Sequence, residues 1–371
     1  MFDSSFQKCL FLAFSLLCLT LADPSTAFSR RGSLSPPALP TPYDGPSPNI
    51  TNLTAQFFHR HKSQRVAIKY GPFTTLPSTT NNGIDTYEVL NAPTPCTDCL
   101  VTYIAADLEH PDGTPANTDT GMWLNHAILY STKEEGAVCP QYYPRRMFAT
   151  GNERTPADIS VNGTKHSGIY LPANVTFLLE SELLNELPTE RDVYLSITYE
   201  FIPSKPSSFK SLIPILLDIT SPCNPSSTPT PTDSSTSFSI TSIPWTANLS
   251  GEVVFTAGHL NDGGAVLQVL KKNESVCDSN ATYAATSGFV SQAMNGVNGS
   301  TASQDLQHVS NMSTCAEIGH MRVGQAWSVR AEYDFSLHGG LVLGDGTREE
   351  VEGWAVLYVR QNEDDDDKLV S

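Results

Sequence analysis

Residues 192–201 read DVYLSITYEF, and their alternation decides the fold. Val193, Leu195, Ile197, Tyr199 and Phe201 fall on one face, because successive side chains of a strand point to opposite sides of a sheet. Short runs of similar character, rich in β-branched and aromatic residues and bounded by Gly, Pro, Asn and Asp, recur at 66–70, 86–90, 99–108, 122–131, 168–171 and 175–183. More follow at 238–243, 251–257, 265–271, 326–335 and 353–360. No helical periodicity of comparable length appears. Strands with one apolar face must pair over a shared core, which predicts an all-β chain of two antiparallel β-sandwich domains. NDGG at 261–264 and GDG at 344–346 supply the positive-φ residues that hairpin turns use.

Between Ser221 and Ser237 every residue except Cys223, Asn224 and Asp233 is Ser, Thr or Pro, the composition of an extended, O-glycosylated linker. It divides an N-terminal sandwich at 61–220 from a C-terminal one at 238–361. Residues 23–60, rich in Pro and Ser and carrying Arg30 and Arg31, read as a disordered arm or pro-segment, and 362–371 as an acidic tail. Lys8 precedes an apolar run at 9–21 that ends in small residues at Thr20 and Ala22, so 1–22 reads as a signal peptide. That run is too short to cross a bilayer, and no later stretch of about 18 apolar residues exists. The mature chain is expected to be secreted and without a transmembrane segment.

Of 371 residues, 39 are Asp or Glu and 22 are Lys or Arg, a formal net charge of −17. Nucleic acid is a poor partner for such a chain, since phosphates require clustered cations. Six cysteines follow the leader: Cys96, Cys99, Cys139, Cys223, Cys277 and Cys315. An even count in a secreted chain implies disulfides. Cys277 and Cys315 are the only two in the second segment and are expected to pair. Cys96 and Cys99 can close a small loop and leave Cys139 with Cys223; the two other pairings of these four stay open. Cys-x-x-Cys here runs into a strand instead of opening a helix, which favours a structural bridge over a redox pair. Nine Asn-x-Ser/Thr sequons, at Asn49, Asn52, Asn162, Asn174, Asn248, Asn273, Asn280, Asn298 and Asn311, fit a glycoprotein with those side chains on exposed loops or strand ends.

Gly-x-Ser-x-Gly, His-Glu-x-x-His, phosphate-loop and Gly-x-Gly-x-x-Gly signatures are absent, and no tight carboxylate pair marks a glycosidase. The histidines carry the remaining chemistry. His126 lies in the middle of MWLNHAILYS, and His259 where VVFTAGHL meets NDGG. Each is either a hydrogen-bonded core residue or a ligand. His59 and His61 read as solvated, and His110, His166, His308, His320 and His338, in or near loops, as structural.

YGPFTTLP (70–77), TGMWLNHAILYS (120–131), IPWTANLSGEVVFTAGHLNDGG (243–264) and EYDFSLHGGLVLGDGTREEVEGWAVLYV (332–359) resemble fungal and plant proteins related to the stress-up-regulated nodulin family. That family is distantly similar to the copper type II, ascorbate-dependent monooxygenases of the peptidylglycine α-hydroxylating class. The resemblance spans roughly 66–360 and is most specific in Gly-His-x-x-Asp-Gly-Gly. It implies two copper sites, one per sandwich. The first uses a His-His pair and a later strand histidine, which here read Asn125, His126 and Glu182. The second uses His-x-His and a methionine, which here read His259, Asn261 and Glu352. One histidine remains at each.

Copper needs imidazole and, when reduced, soft sulfur, whereas amide and carboxylate oxygens are harder donors. His126 with Glu182, and His259 with Glu352, would hold a divalent ion loosely, because tight binding wants three or four convergent donors. His320 or His338 could replace a lost ligand if its loop folds into the cleft. The expectation is a secreted fungal glycoprotein with a monooxygenase-like double sandwich and an eroded copper site. It would bind a metal, an extracellular ligand or a cell-wall component without catalysis. The alternative is a copper- and ascorbate-dependent monooxygenase that hydroxylates a small molecule or peptide, so enzyme and binding protein both stay open.

Overall fold

The structure, a computed structural model, describes residues 40–140, 144–220, 236–292, 305–343 and 346–361. The expected leader, Cys223, Asn298, nearly all of the Ser/Thr/Pro segment and the acidic tail lie outside the described residues. Among the described residues the protein is all-β, with a few single-turn 3-10 segments and no α-helix.

The strand Arg191–Ile202 lies between Gln64–Thr75 and Cys99–Glu109, antiparallel to both. Its five alternating apolar residues are all buried, as the sequence predicts. They face a second sheet whose order is Thr41–Pro42, Ile84–Ala92, Phe177–Asn185, Met122–Glu135, Pro144–Gly151. Leu124, Ala127, Leu129, Phe148 and Leu179 from that sheet pack on Ile68, Tyr70, Leu195, Ile197 and Tyr199 to make the first core. Burying each such aliphatic side chain contributes roughly 1.5–3 kcal/mol. Of the stretch read as an arm, Asn49–Leu53 pairs with Gln64–Thr75, and the buried Glu200 carboxylate accepts the N–H groups of Gln56 and Phe57 at 2.8 and 2.7 Å.

Beyond Cys99–Glu109 the larger sheet continues through Ser167–Leu171, Lys210–Asp218, Gly353–Gln361, Gly251–Leu260 and Thr314–Met321, nine strands in all. Strands from both sides of 221–237 thus share one sheet, with Ile215 opposite Leu357. Gly251–Leu260 and Gly353–Gln361 are buried on both faces: Phe255, Trp354 and Tyr358 join the first core, while Val253, Leu357 and Val359 join a second core with Val269, Trp327 and Val329. Double burial explains why VVFTAGHL and WAVLYV run nearly continuously apolar instead of alternating. The second core is closed by a six-stranded sheet that includes Gly264–Lys271, Glu274–Tyr283 and Ala326–Asp334.

One turn expectation changes. NDGG closes no hairpin: it carries the chain from the nine-stranded sheet to the six-stranded one, although Gly263 does take a positive φ of 89°. The hairpin turn is Lys272–Asn273, with φ of 53° and 67°, between Gly264–Lys271 and Glu274–Tyr283. For GDG, Gly344 and Asp345 lie outside the described residues. The strands Pro144–Gly151, Lys210–Asp218, Glu274–Tyr283 and Thr314–Met321 go unread in the sequence. Pro214 removes a ladder donor from the second, and exposed polar residues dilute the alternation of the last two. Disulfides join Cys96 to Cys99 and Cys277 to Cys315. Cys139 is disulfide-bonded too, its expected partner Cys223 lying outside the described residues. Among the described residues no helix is long and apolar enough to cross a membrane.

Candidate functional site

In the strand Phe177–Asn185, Leu179 and Leu183 enter the first core, which turns Glu180 and Glu182 to the opposite face. A β-bulge at Asn125, between Leu124 and His126, lets two consecutive residues of the neighbouring strand serve that same polar face. Asn125 Nδ2 donates to Glu182 Oε1 at 2.6 Å, and Thr86 Oγ1 to Glu182 Oε2 at 3.1 Å. The His126 ring faces other carboxylates, with Nε2 3.6 Å from Glu180 Oε1 and Nδ1 3.8 Å from Glu352 Oε2. Both separations exceed hydrogen-bonding distance.

His259 is the next-to-last residue of the strand Gly251–Leu260 and is only 1% exposed. Its ring stacks on Trp354 at 4.6 Å between centroids. Nδ1 lies 2.8 Å from Glu153 Oε2, and Nε2 lies 3.0 Å from Asn261 Oδ1. The partners fix the protons. Asn261 Nδ2 donates to Glu349 Oε2 at 3.4 Å and to the Glu350 carbonyl at 3.2 Å, so its amide oxygen must be the atom that faces His259. An amide oxygen on one side and a carboxylate on the other favour a proton on each ring nitrogen, the imidazolium form. Burial opposes that charge, but the Glu153 carboxylate, by charge and hydrogen bond, with Glu352 and Asn261, outweighs it and raises the pKa.

Glu349 joins the two halves of the site. Its Oε1 accepts from Asn125 Nδ2 at 3.3 Å while its Oε2 accepts from Asn261, so the two asparagines share one carboxylate. Glu352 faces His126 and also acts on His259. His126, Glu182, His259 and Glu352, expected as two separate pairs, thus belong to one polar network. A small cavity opens there, lined by Trp123, Asn125, Asn152, His259, Asp262 and Glu349 among others. Glu88, cross-strand partner of Glu180, has its carboxyl pushed up by burial and by the Glu180 charge. His338 stacks on Tyr283, and His320 is an exposed residue of the strand Thr314–Met321.

These donors do not fit copper as the resemblance arranges it. An imidazolium has no lone pair to give. His126 has a carboxylate on each edge, and one metal cannot use both ring nitrogens of one histidine. Among the described residues no three His, Cys, Asp or Glu side chains converge on a metal position. Sequence reading missed Glu153 and Glu180, which approach His259 and His126, and Glu349, which joins Asn125 to Asn261; they come from other strands and loops and carry no local signature.

No family model matches the chain. An all-β chain with this polar centre does have relatives among proteins named for copper-dependent oxygenation. It is 27% identical over 293 residues to a protein of a Phoma species named probable copper-dependent oxygenase, covering 79% of this chain and 71% of the relative. A Cochliobolus lunatus protein of the same description is 27% identical over 257 residues, 69% of this chain and 78% of the relative. Among solved structures, PNGase F, a glycosylasparaginase from Flavobacterium meningosepticum, is similar at 10% identity and a TM-score of 0.35, over 80% of this chain and 96% of that one. That likeness is too slight to carry an argument. The two oxygenase relatives support a monooxygenase-like scaffold.

Proposed function

We propose that the protein is a secreted glycoprotein whose oxygenase-like β scaffold binds a small polar ligand beside His259 without copper redox chemistry. The observation that carries this reading is that both His259 nitrogens are already engaged within the protein, Nδ1 at 2.8 Å by Glu153 and Nε2 at 3.0 Å by Asn261. Asn152 Oδ1 is buried without a hydrogen-bond partner, and the Glu349 carboxylate lines the same cavity, so a fitting ligand brings donors, as a hydroxyl or amine does. Exposure of all eight described sequon asparagines supports the secreted, glycosylated setting.

A second reading, a copper- and ascorbate-dependent oxygenase, draws its support from the names of the two relatives. Titration of Cu(II) into metal-free secreted protein, with bound equivalents counted and spin-resonance spectra recorded, separates the two. The expected result is no tight equivalent that depends on a histidine. A tight equivalent with nitrogen hyperfine structure, lost in His126→Ala or His259→Ala, would overturn the proposal in favour of the oxygenase.

A further inference from the structure

We propose that Ser291, His308 and Asp262 form a nucleophilic serine site for acyl transfer, separate in chemistry from the His259 network. Ser291 Oγ lies 2.7 Å from His308 Nε2, and His308 Nδ1 lies 2.5 Å from Asp262 Oδ2. The other carboxylate oxygen, Oδ1, accepts the Val309 N–H at 2.9 Å, so Asp262 is fixed at both atoms. The Trp123 ring packs edge-on against the imidazole with centroids 4.4 Å apart, which restrains the ring's tilt. All three residues are buried, Ser291 retaining 8% exposure at the edge of the two-stranded ribbon Val290–Gln292 and Asp305–Gln307.

The order of the groups is the argument. Asp262 can only accept at Nδ1, so the neutral imidazole carries its proton there and turns the Nε2 lone pair to the Ser291 hydroxyl. That is the tautomer a general base needs, with the nucleophile on one nitrogen and the positioning carboxylate on the other. Low solvent access limits screening of the carboxylate's field, which favours the imidazolium formed when the serine proton arrives. A sequence scan passes over the set because Asp262 comes from the crossover between sheets, Ser291 from the ribbon and His308 from the residue before Val309–Met312. No Gly-x-Ser-x-Gly surrounds the serine, so the geometry alone identifies it.

The chemical class that follows is an ester or similarly activated acyl group. Ser291 Oγ bonds to the acyl carbon as its proton passes to His308 Nε2; the ester C–O bond then breaks, and that proton leaves with the alkoxide. Water, deprotonated by His308, attacks the acyl-serine, releases the acid and restores the hydroxyl. Of the three residues Asp262 alone lines the small cavity with Asn152 and Trp123, so an acyl group must approach Ser291 from the ribbon side, where the serine keeps its 8% exposure.

The same three bonds could merely tie the ribbon to the crossover, and the test separates these roles. The full-length protein is treated with a fluorophosphonate probe, from whose phosphorus a competent serine displaces fluoride, and its peptides are mapped by mass spectrometry. The expected adduct is on Ser291, absent in Ser291→Ala and formed roughly 10²–10⁴-fold more slowly in His308→Gln. Folded wild-type protein that yields no Ser291 adduct overturns the proposal without reference to any variant. Labelling that proceeds equally fast in a natively folded His308→Gln, or in Asp262→Asn should His308→Gln not fold, overturns it as well. Labelling needs no metal, so its outcome is independent of the copper titration.

Discussion

The imidazole of His259 lies directly over Gly151. A Cβ at position 151 would come within 2.1 Å of the ring's Cε1, 2.3 Å of Nδ1 and 2.8 Å of the Asn125 carbonyl oxygen. Neither a ring bonded at both nitrogens nor a backbone carbonyl yields easily. Gly151→Ala is therefore expected to displace His259 from Glu153 and to cost roughly 1–3 kcal/mol, the usual penalty for overpacking a filled core. Denaturant unfolding reads the loss as a lower midpoint. A midpoint equal to that of wild type would mean the ring is not held there.

Glu153→Gln tests the charge on His259. A histidine whose folded pKa is raised above its unfolded value stabilises the fold fully below the unfolded value, about 6.5, and that contribution disappears as pH climbs through the folded pKa. Removal of the Glu153 charge leaves burial as the dominant influence, and burial pulls the pKa down. The imidazole resonances should then titrate at lower pH, and the variant's stability deficit should be larger at about pH 5 than at about pH 8. Equal deficits at the two would show that His259 is neutral in the native state.

The part of this molecule written locally is the first core. DVYLSITYEF alternates because Arg191–Ile202 packs one face on the opposing sheet, and the Cys277–Cys315 bridge follows from two cysteines in one segment. VVFTAGHL and WAVLYV read as strands and are strands, but burial on both faces leaves them no period that says which residues meet which core. Legibility ends also where polar residues meet across the chain. His126 and His259 stand out as residues, but Glu349, which ties Asn125 to Asn261, sits in an unremarkable REEVEG stretch. His308 reads as a loop histidine until Asp262 and Ser291 are seen on its two nitrogens.

The Cys277–Cys315 bridge closes a sequence separation of 38 residues. Chain-entropy reasoning for a loop of that length gives about 4 kcal/mol of stabilisation, by limiting the unfolded ensemble. The double variant Cys277→Ala, Cys315→Ala should lose roughly 2–4 kcal/mol in equilibrium unfolding. Since Glu274–Tyr283 still pairs with Val309–Met312 and Ser279 Oγ still donates to the Ser313 carbonyl at 2.5 Å, the region has other contacts and the variant should fold. A loss of only a few tenths of a kcal/mol would mean the unfolded chain is already compact in this region.

Asp218 makes the opposite kind of contribution from a salt-bridged carboxylate. It is buried at the end of Lys210–Asp218, and Thr220 donates to its Oδ1 from both N–H and Oγ1, at 2.8 and 2.7 Å. Burial pushes its pKa up to about 7, with Glu352 adding to the rise while Thr220 and Arg146 oppose it. Below the unfolded value, about 3.9, the carboxyl is neutral in both states and has no effect. Above that value the unfolded chain ionises while the folded one stays protonated, so stability falls with rising pH until the folded pKa is passed. Asp218→Asn removes this titration, and its Oδ1 can still accept both bonds from Thr220. Stability of the variant should be flatter between about pH 4 and pH 7, and it should exceed wild type by a few kcal/mol at about pH 8. The His259 contribution also declines with rising pH, but it does so above about 6.5, so a slope that survives Asp218→Asn only above that point belongs to the histidine. An unchanged slope from pH 4 upward, by contrast, would show that the buried carboxyl is ionised in the native protein and is satisfied by Arg146 and Thr220 together.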